Sequence, residues 1–236
     1  HVGQVTVMTS GAFTAPYLEL SARFASATHT EVITAATTMG VGAASIPSRI
    51  RRGEAVDVAI IADSALEDLI RDGLVVASSR VALARSSIGM AVRAGAPKPD
   101  IRSAEALRRT LLNARSIAYS ASVSGDYLAN ELFPQLGIAD QVRAKSHRIA
   151  GERVGAVVAR GEAEIGFQQI SELLPIPGID YVGPLPPELQ RATIFSAGIV
   201  AGSKNPEAAR ALIQFLSSPD AAATIRRSGL EPMFRP

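Results

Sequence analysis

The sequence predicts an α/β fold in which parallel sheets carry helices on both faces. Three observations support this class. Strand-like and helix-like stretches alternate nearly throughout the chain. The 236 residues are 47% hydrophobic and 19% charged, a composition typical of globular proteins. Several strands also run directly into helix starts through small or hydroxyl residues. The length allows either one α/β domain or two lobes of ordinary size.

The first part of the chain alternates short apolar runs with amphipathic stretches. Bounded apolar runs indicate strands, and apolar positions that recur every three to four residues indicate helices. Pro47 is compatible with a helix because it stands in the first turn, and Gly73 is a typical helix-ending residue. The elements predicted here are strands at 5–8, 31–35 and 56–63 and helices at 15–27, 45–52 and 64–73.

The same alternation continues to the end of the chain. A Pro-rich turn follows the strand that begins at Ser87, and Pro134 predicts an irregular helix around it. The remaining strands are predicted at 87–95, 116–120, 144–150, 163–169, 178–183 and 193–200, and the remaining helices at 103–114, 125–136, 152–160, 206–217 and 220–227. The strand at 163–169 is also predicted to run directly into a short helix. Strands separated by helices of this length predict parallel sheets.

The composition excludes several classes of site. The formal net charge is +2, from 24 Lys and Arg against 22 Asp and Glu, so a nucleic-acid surface is not indicated. The absence of cysteine excludes disulfides, thiolate metal ligands and a cysteine nucleophile. The histidines His1, His29 and His147 are too scattered for a zinc site, and no glycine-rich phosphate loop follows a strand. We expect no metal, no cofactor and no nucleic-acid partner.

The hydropathy of the chain bears on where the protein works. No apolar run is long enough to span a membrane, so we expect no stable membrane insertion. The first residues, HVGQVTV, lead almost directly into a strand and carry no signal peptide. This start indicates either a cytosolic protein or a mature chain whose signal peptide was removed.

Polar loops recur at the junctions between strands and helices. They are Thr9-Ser10-Gly11, TTMGVGAAS at 37–45, SASVSG at 120–125, GERVG at 151–155 and QQ at 168–169. A helix start presents unpaired backbone N–H groups and the positive end of the helix dipole, which favour an anion. One such junction alone is more simply a helix cap. Several junctions at strand ends, where open α/β sheets bind ligands, predict an anion site.

Four stretches carry a resemblance to a known family. They are VTVMTSGAFTAPYLELSARF, SIPSRIRRGEAVDVAIIAD, ERVGAVVARGEAEIGF and NPEAARALIQFLSSPDAAATIRRSGL. In this order they resemble the molybdate-binding branch of the type 2 periplasmic solute-binding proteins, and within it the divergent group that includes aconitate isomerase. The resemblance covers nearly the whole chain and rests on no catalytic motif.

The resemblance implies a domain organisation and a location. It implies two doubly wound α/β lobes joined by two crossover strands, with a ligand held in the cleft between the lobes. The first lobe would comprise residues 1–86 and 196–236, and the inserted second lobe residues 87–195. Such proteins are periplasmic, so the resemblance favours a processed chain, a monomer that works with the membrane subunits of an ABC transporter.

The resemblance also implies ligand contacts through hydroxyls and backbone N–H groups. Carried over by position, the ligand-binding residues are Ser10, Gly11, Thr38, Met39, Ser45, Ser122, Ser124, Arg153, Val154 and Gln169.

Departures from the molybdate binders point to a different ligand. Gly11 or Ala12 stands where a serine is expected, Gln169 replaces a tyrosine, and extra residues precede Ser45. Arg153 replaces an apolar residue at a helix start. A guanidinium suits planar, bidentate recognition of a carboxylate. We therefore expect a small organic di- or tricarboxylate rather than molybdate.

Three functions remain open from the sequence. The first is a solute-binding protein that closes on a small carboxylate. The second is an aconitate isomerase, which needs a base near the ligand. Glu152, His147 and Tyr119 are candidates, although Glu152 also suits a helix start, His147 could face away and Tyr119 could simply cover the sheet. The third is a transporter component that binds molybdate or another oxyanion.

Overall fold

The computed structural model of the chain describes residues 3–37 and 43–234. The described residues form two compact units. The first unit contains the residues up to Ser86 and from Thr193 onwards, and the second contains Ser87–Ala192.

The helices and strands follow one another in the following order along the chain. They are β1 (Gln4–Thr9), α1 (Gly11–Thr28), β2 (Glu31–Thr34), α2 (Ile46–Arg51), β3 (Val58–Ala62), α3 (Asp63–Arg71), β4 (Val81–Ser86), β5 (Ile88–Arg93), α4 (Ala104–Asn113), β6 (Ile117–Ser120), α5 (Val123–Tyr127), α6 (Phe133–Gln135), α7 (Ala139–Arg143), β7 (Ser146–Ile149), α8 (Val154–Ala159), β8 (Ile165–Gln169), α9 (Ile170–Leu173), β9 (Ile179–Pro184), β10 (Thr193–Ile199), α10 (Pro206–Leu216), α11 (Pro219–Arg227) and β11 (Glu231–Pro232).

The first unit is built on a sheet of six strands in the order β11-β4-β10-β3-β1-β2. Strand β1 is parallel to β2 and β3, whereas β10 is antiparallel to β3 and β4. Strand β3 is buried along its whole length, and alternate residues face two separate apolar clusters. Val58 and Ile60 pack with α1, α10 and α11 on one face, and Ala59 and Ile61 pack with α2 and α3 on the other. Helices therefore cover both faces of this sheet.

The second unit is built on a sheet of five strands in the order β7-β6-β8-β5-β9. Strand β6 is parallel to β7 and β8, and β5 is antiparallel to β8 and β9. Ile117 and Phe167 belong to the larger apolar cluster, and Ala118 packs with Val154 and Val158 of α8 on the opposite face. Because β6, β7 and β8 run in one direction, the loops that follow them leave the sheet at the same edge.

The structure confirms the α/β class and corrects two expectations about the strands. Both sheets are mixed rather than parallel, because β10 enters the first sheet antiparallel to β3 and β5 enters the second antiparallel to β8. Strand β4 is also absent from the sequence prediction. Its residues VALARS include a run of four apolar residues, but serines and arginines flank this run on both sides and the stretch was not predicted as a strand. Its pairing with β10 and β11 makes it a strand.

The irregular helix expected around Pro134 is observed. Helix α5 continues through a π-helical turn at Leu128–Leu132 into α6, which contains Pro134 near its start. Because proline lacks an N–H and clashes with the preceding turn, the backbone widens just before it. The short helix α7 was not predicted.

Candidate functional site

Three serine hydroxyl groups cluster where β6 ends. Ser120 is the last residue of β6, Ser122 precedes α5 and Ser124 lies in its first turn. The Oγ atom of Ser120 lies 2.5 Å from Oγ of Ser122 and 3.1 Å from Oγ of Ser124, and the last two atoms are 3.3 Å apart. Each hydroxyl both donates and accepts hydrogen bonds. The three groups can therefore bond to one another or turn a donor towards an anion.

The start of α5 approaches the end of β6 very closely at Gly125. A Cβ atom on Gly125 would lie 1.7 Å from the carbonyl oxygen of Ser120 and 2.9 Å from the ring of Tyr119. No side chain larger than hydrogen fits there without a shift of the backbone. Gly125 thus allows Ser122 and Ser124 to meet Ser120.

An arginine and a buried carboxyl group meet at the same edge of the sheet. Arg153 precedes α8, and Glu172 lies in α9, which follows β8 directly. Atom Nη1 of Arg153 lies 3.0 Å from Oε1 of Glu172. The Glu172 side chain is only 5% exposed, whereas that of Arg153 is 27% exposed. The pair therefore places a partly accessible guanidinium over a buried carboxyl group.

Burial places the proton equilibrium of Glu172 close to neutral pH. Desolvation raises the pKa of its carboxyl group to about 7, against the opposing influence of the Arg153 charge and of the Gln168 side chain. The loss of hydration outweighs the attraction to Arg153 because the charged form of a buried carboxyl is penalised most. A group with this pKa exchanges a proton readily near neutral pH, which is a feature of functional sites.

Gln168 connects the start of α8 to Glu172. Its side-chain oxygen Oε1 accepts a hydrogen bond of 3.0 Å from the backbone N–H of Val154. Its amide nitrogen Nε2 is buried and makes no hydrogen bond of normal geometry in the described structure, although the side chain lowers the pKa of Glu172. The N–H of Val154, expected from the sequence to contact a ligand, is thus already bound within the unit.

The three bases proposed from the sequence lie in different surroundings. Glu152 is bound by Arg160 at 2.8 and 3.2 Å, and this pairing holds the pKa of its carboxyl group below the usual value. His147 is exposed on β7, an edge strand. Tyr119 is half-buried and packs edge-on against Phe133, with ring centroids 6.1 Å apart. A carboxylate with a lowered pKa is a weak base, so Glu152 is poorly suited to accept a proton.

The ligand contacts predicted in the first unit stand at two helix starts, and they differ in whether the side chain caps the helix. Ser10 precedes α1 without capping it through its side chain, and its backbone oxygen accepts a hydrogen bond from Oγ1 of Thr14 at 3.0 Å. Gly11 is the first residue of α1. Ser45 does cap its helix, because its Oγ accepts from the N–H of Ser48 at 3.3 Å. The Ser45 hydroxyl therefore has a structural role already.

Three further residues were predicted from the sequence to contact a ligand. Thr38 and Met39 lie outside the described residues. Gln169 is buried, is the last residue of β8 and pairs with Ile88 of β5. The second unit thus brings Ser122, Ser124 and Arg153 to the edge where β6, β7 and β8 end.

Glu172 was missed by the sequence analysis. In the stretch QQISEL it reads as an ordinary surface residue of a short helix. Its burial could have been predicted from its position, because it follows by three residues a strand in which every residue up to Gln169 is buried. A helix that follows such a strand without a loop keeps its first turn inside the protein.

No group of three or more His, Cys, Asp or Glu side chains within residues 3–37 and 43–234 is arranged to hold a metal ion. None of the helices in this part of the chain is both long and apolar enough to cross a bilayer.

Comparisons with known proteins identify relatives over almost the whole chain. A protein named aconitate isomerase from Pseudomonas sp. is 47% identical over 233 residues, which is 98% of this chain and 89% of that protein. The similarity thus includes both units.

Solved structures share the fold at low sequence identity. The periplasmic molybdate-binding protein of Azotobacter vinelandii superposes with a TM-score of 0.76 at 20% identity, over 96% of this chain and 98% of that one. The substrate-binding domain of a putative molybdenum ABC transporter from Clostridium difficile gives a TM-score of 0.71 at 17% identity, over 97% and 98% of the two chains. At this identity the likeness concerns the fold.

The family model described as bacterial extracellular solute-binding protein matches residues 5–231. The match confirms the resemblance stated from the four sequence stretches. The chain belongs to the family of bacterial extracellular solute-binding proteins.

Proposed function

We propose that the chain is an aconitate isomerase, which binds the tricarboxylate and moves its double bond by proton transfer. The observation that carries the proposal is the Arg153–Glu172 pair at the same edge of the sheet as the serine cluster, in a chain 47% identical to a protein named aconitate isomerase. A guanidinium and neutral hydroxyl donors suit a ligand with several carboxylates. By the sequence resemblance, Arg153 stands where the molybdate binders have an apolar residue.

The reaction needs proton transfer and no change of oxidation state. A base removes a proton from the methylene carbon of aconitate, the electron pair shifts along the three-carbon unit, and a proton returns to the former vinylic carbon. Atoms and electrons balance without an oxidant or a cofactor. The substrate carboxylates withdraw electron density from the carbanion, and Arg153 stabilises the negative charge that develops on them.

We propose specific roles for the residues of the second unit. Arg153 binds one substrate carboxylate, and the hydroxyls of Ser122 and Ser124 donate to another. His147 and Tyr119 remain candidates for the base, and Glu152 is the least suited because Arg160 lowers the pKa of its carboxyl group. Ser10, Gly11, Thr38, Met39, Ser45, Val154 and Gln169 remain proposed ligand contacts from the sequence.

A second candidate function is binding without turnover. Membership of a solute-binding family favours it, and both solved neighbours are binding proteins by name. In that case the protein would be a periplasmic monomer that delivers a small di- or tricarboxylate to the membrane subunits of an ABC transporter. Both functions use the same carboxylate ligands, so binding and turnover must be measured separately.

Thermal unfolding with added ligands tests the substrate class. Trans-aconitate, citrate, succinate and molybdate would each be added to the protein at increasing concentration. We expect stabilisation by the tricarboxylates, by about 2.7 kcal/mol at a hundredfold excess over the dissociation constant. Stabilisation by molybdate alone would contradict the carboxylate assignment.

A further inference from the structure

The ion pair at the candidate site raises a problem for binding an anion. The carboxyl group of Glu172 lies 3.0 Å from the guanidinium of Arg153. If Glu172 keeps its negative charge, it neutralises Arg153 and repels an incoming substrate carboxylate inside a poorly hydrated region. Removal of the charge on Glu172 would therefore favour the binding of a polyanion.

We propose that Glu172 is a positioning residue that holds Arg153 for a substrate carboxylate and takes up a proton when the polyanion binds. This inference rests on the proposed function, since it concerns the same site. A protonated carboxyl group still accepts a hydrogen bond through its carbonyl oxygen. Arg153 thus keeps its place while its positive charge becomes available to the substrate.

The surroundings of Glu172 favour proton uptake there. Helix α9 packs against β5, β8 and α8. Neither α8 nor β8 contains a charged residue, and in β5 only Arg93, at the far end beside Gly161, is charged. Among the described residues, Arg153 is thus the charged side chain that faces Glu172. A second negative charge at this place meets little screening, which favours the neutral form of Glu172.

Other nearby titratable groups do not change charge over the pH range of interest. Tyr181 on β9 lies near the start of α9, and burial raises its pKa to about 12. Glu152 is bound by Arg160, which holds the pKa of its carboxyl below the usual value. With its pKa of about 7, Glu172 is ready to change charge when a ligand binds near neutral pH.

Gln168 supplies a further observation. Its amide is held in one orientation by the N–H of Val154, and its Nε2 donor is buried without a hydrogen bond of normal geometry in the described structure. The Gln168 side chain lowers the pKa of Glu172, so this donor faces the carboxyl group and favours its charged form. Glu172 thus lies between Arg153 and Gln168, and the ligand-free site holds both of its protonation states within reach of neutral pH.

Calorimetric titration with an equilibrated mixture of trans- and cis-aconitate tests this inference, because the proposed reaction then produces no net heat. The unmodified protein would be titrated at pH 7 in two buffers of different ionisation enthalpy and then from pH 7 to 8.5. We expect uptake of roughly half a proton at pH 7, since Glu172 is then about half ionised. The affinity should fall above pH 7, by up to about tenfold per pH unit. The last carboxyl group of a tricarboxylate ionises at a higher pH than an isolated carboxyl group, because two negative charges are already present. The comparison is therefore made from pH 7 upwards, where the substrate itself changes charge least.

Two variants separate Glu172 from other groups. Glu172→Gln should bind without proton uptake, and its affinity should no longer depend on pH. Glu164→Gln is the matched control, because Glu164 is bound to Arg115 just before β8, at the end of the strand opposite Gln169. It should keep the pH dependence of the unmodified protein.

The possible results are distinct. Binding by the unmodified protein with no proton uptake would overturn the role of Glu172 and leave the proposed function standing. A pH dependence that persists in Glu172→Gln would overturn it as well. The two-buffer measurement needs only the unmodified protein, so it holds even if Glu172→Gln fails to fold. No binding of aconitate by the folded protein would remove the proposed function and this inference with it.

Discussion

The guanidinium of Arg153 lies 3.0 Å from the buried carboxyl group of Glu172, and the two residues follow β7 and β8, the strands on either side of β6 in one sheet. Arg153 stands before α8 and Glu172 in α9. The pair couples the charge presented to a ligand to the protonation of a group inside the second unit.

Removal of the arginine should weaken ligand binding. Arg153→Ala removes a charge-assisted contact to a carboxylate, worth about 1.5–3 kcal/mol, so the affinity for trans-aconitate should fall tenfold to more than a hundredfold. Arg153→Lys should recover only part of the lost affinity, because an ammonium group cannot form the planar, bidentate contact. Isothermal titration with an equilibrated mixture of the two isomers, which produces no net heat of reaction, measures both variants. Arg102→Ala is the control, since Arg102 is 90% exposed and paired with Asp100. An unchanged affinity in Arg153→Ala would refute the carboxylate contact.

Stability should depend on pH through Glu172. Its pKa is about 7 in the folded protein and near 4.5 in the unfolded chain, so between these values the folded state keeps a proton that the unfolded state has lost. The free energy of unfolding should therefore fall as pH rises from about 4.5 to 7, by up to about 3 kcal/mol from this group.

Glu172→Gln should lose this part of the pH dependence, because an amide does not titrate. Urea unfolding at pH 5, 6, 7 and 8 would show a flatter profile for this variant than for the unmodified protein. Glu164→Gln, whose carboxyl group is exposed, is the control and should keep the unmodified slope. Parallel profiles for Glu172→Gln and the unmodified protein would show that Glu172 titrates as an ordinary surface carboxyl.

Loss of one hydroxyl in the serine cluster should reduce affinity moderately. Ser122→Ala removes a donor worth about 1 kcal/mol, so trans-aconitate should bind roughly fivefold more weakly. Ser120 and Ser124 keep their mutual hydrogen bond of 3.1 Å, so the fold should be maintained. Ser217→Ala, which removes a hydroxyl bound to its own helix in the first unit, should bind normally. Equal affinities of the two variants would exclude the cluster from the site.

The close approach at Gly125 should not tolerate a methyl group. Gly125→Ala places a carbon atom 1.7 Å from the Ser120 carbonyl oxygen, so the backbone must move. We expect a loss of stability of about 2 kcal/mol or more, measured by thermal or urea unfolding. Gly3→Ala is the control, because its nearest neighbour would be an ordinary contact at 3.5 Å. Equal stability of the two variants would mean that α5 and β6 are further apart than described.

The sequence was sufficient for most helices and strands because their apolar periodicity is strong. Strand β3, for example, is marked by the unbroken run VAIIA. It was insufficient where an element depends on its neighbours. Strand β4 has an apolar run of only four residues between polar and charged ones, and it is stabilised by pairing with β10. The directions of β5 and β10 likewise depend on which strand each one joins, which no local pattern encodes.

The residues of the candidate site could be predicted only in part from the sequence, for a similar reason. Ser122, Ser124 and Arg153 stand at strand–helix junctions, which local residue types reveal. Glu172 gains its properties from burial and from Arg153, which is 19 positions away in the chain. A pKa shift of this kind depends on tertiary packing, and neither hydropathy nor spacing along the chain predicts it.

Conversion of trans-aconitate to cis-aconitate by the purified protein tests the central claim most directly. Proton NMR would follow both isomers over time, with heat-denatured protein and Arg153→Ala as controls. The isomerase assignment predicts that each protein molecule converts many substrate molecules until the two isomers reach equilibrium, and that Arg153→Ala is much slower. Saturable binding of trans-aconitate with no formation of the cis isomer would contradict the assignment and leave a binding protein.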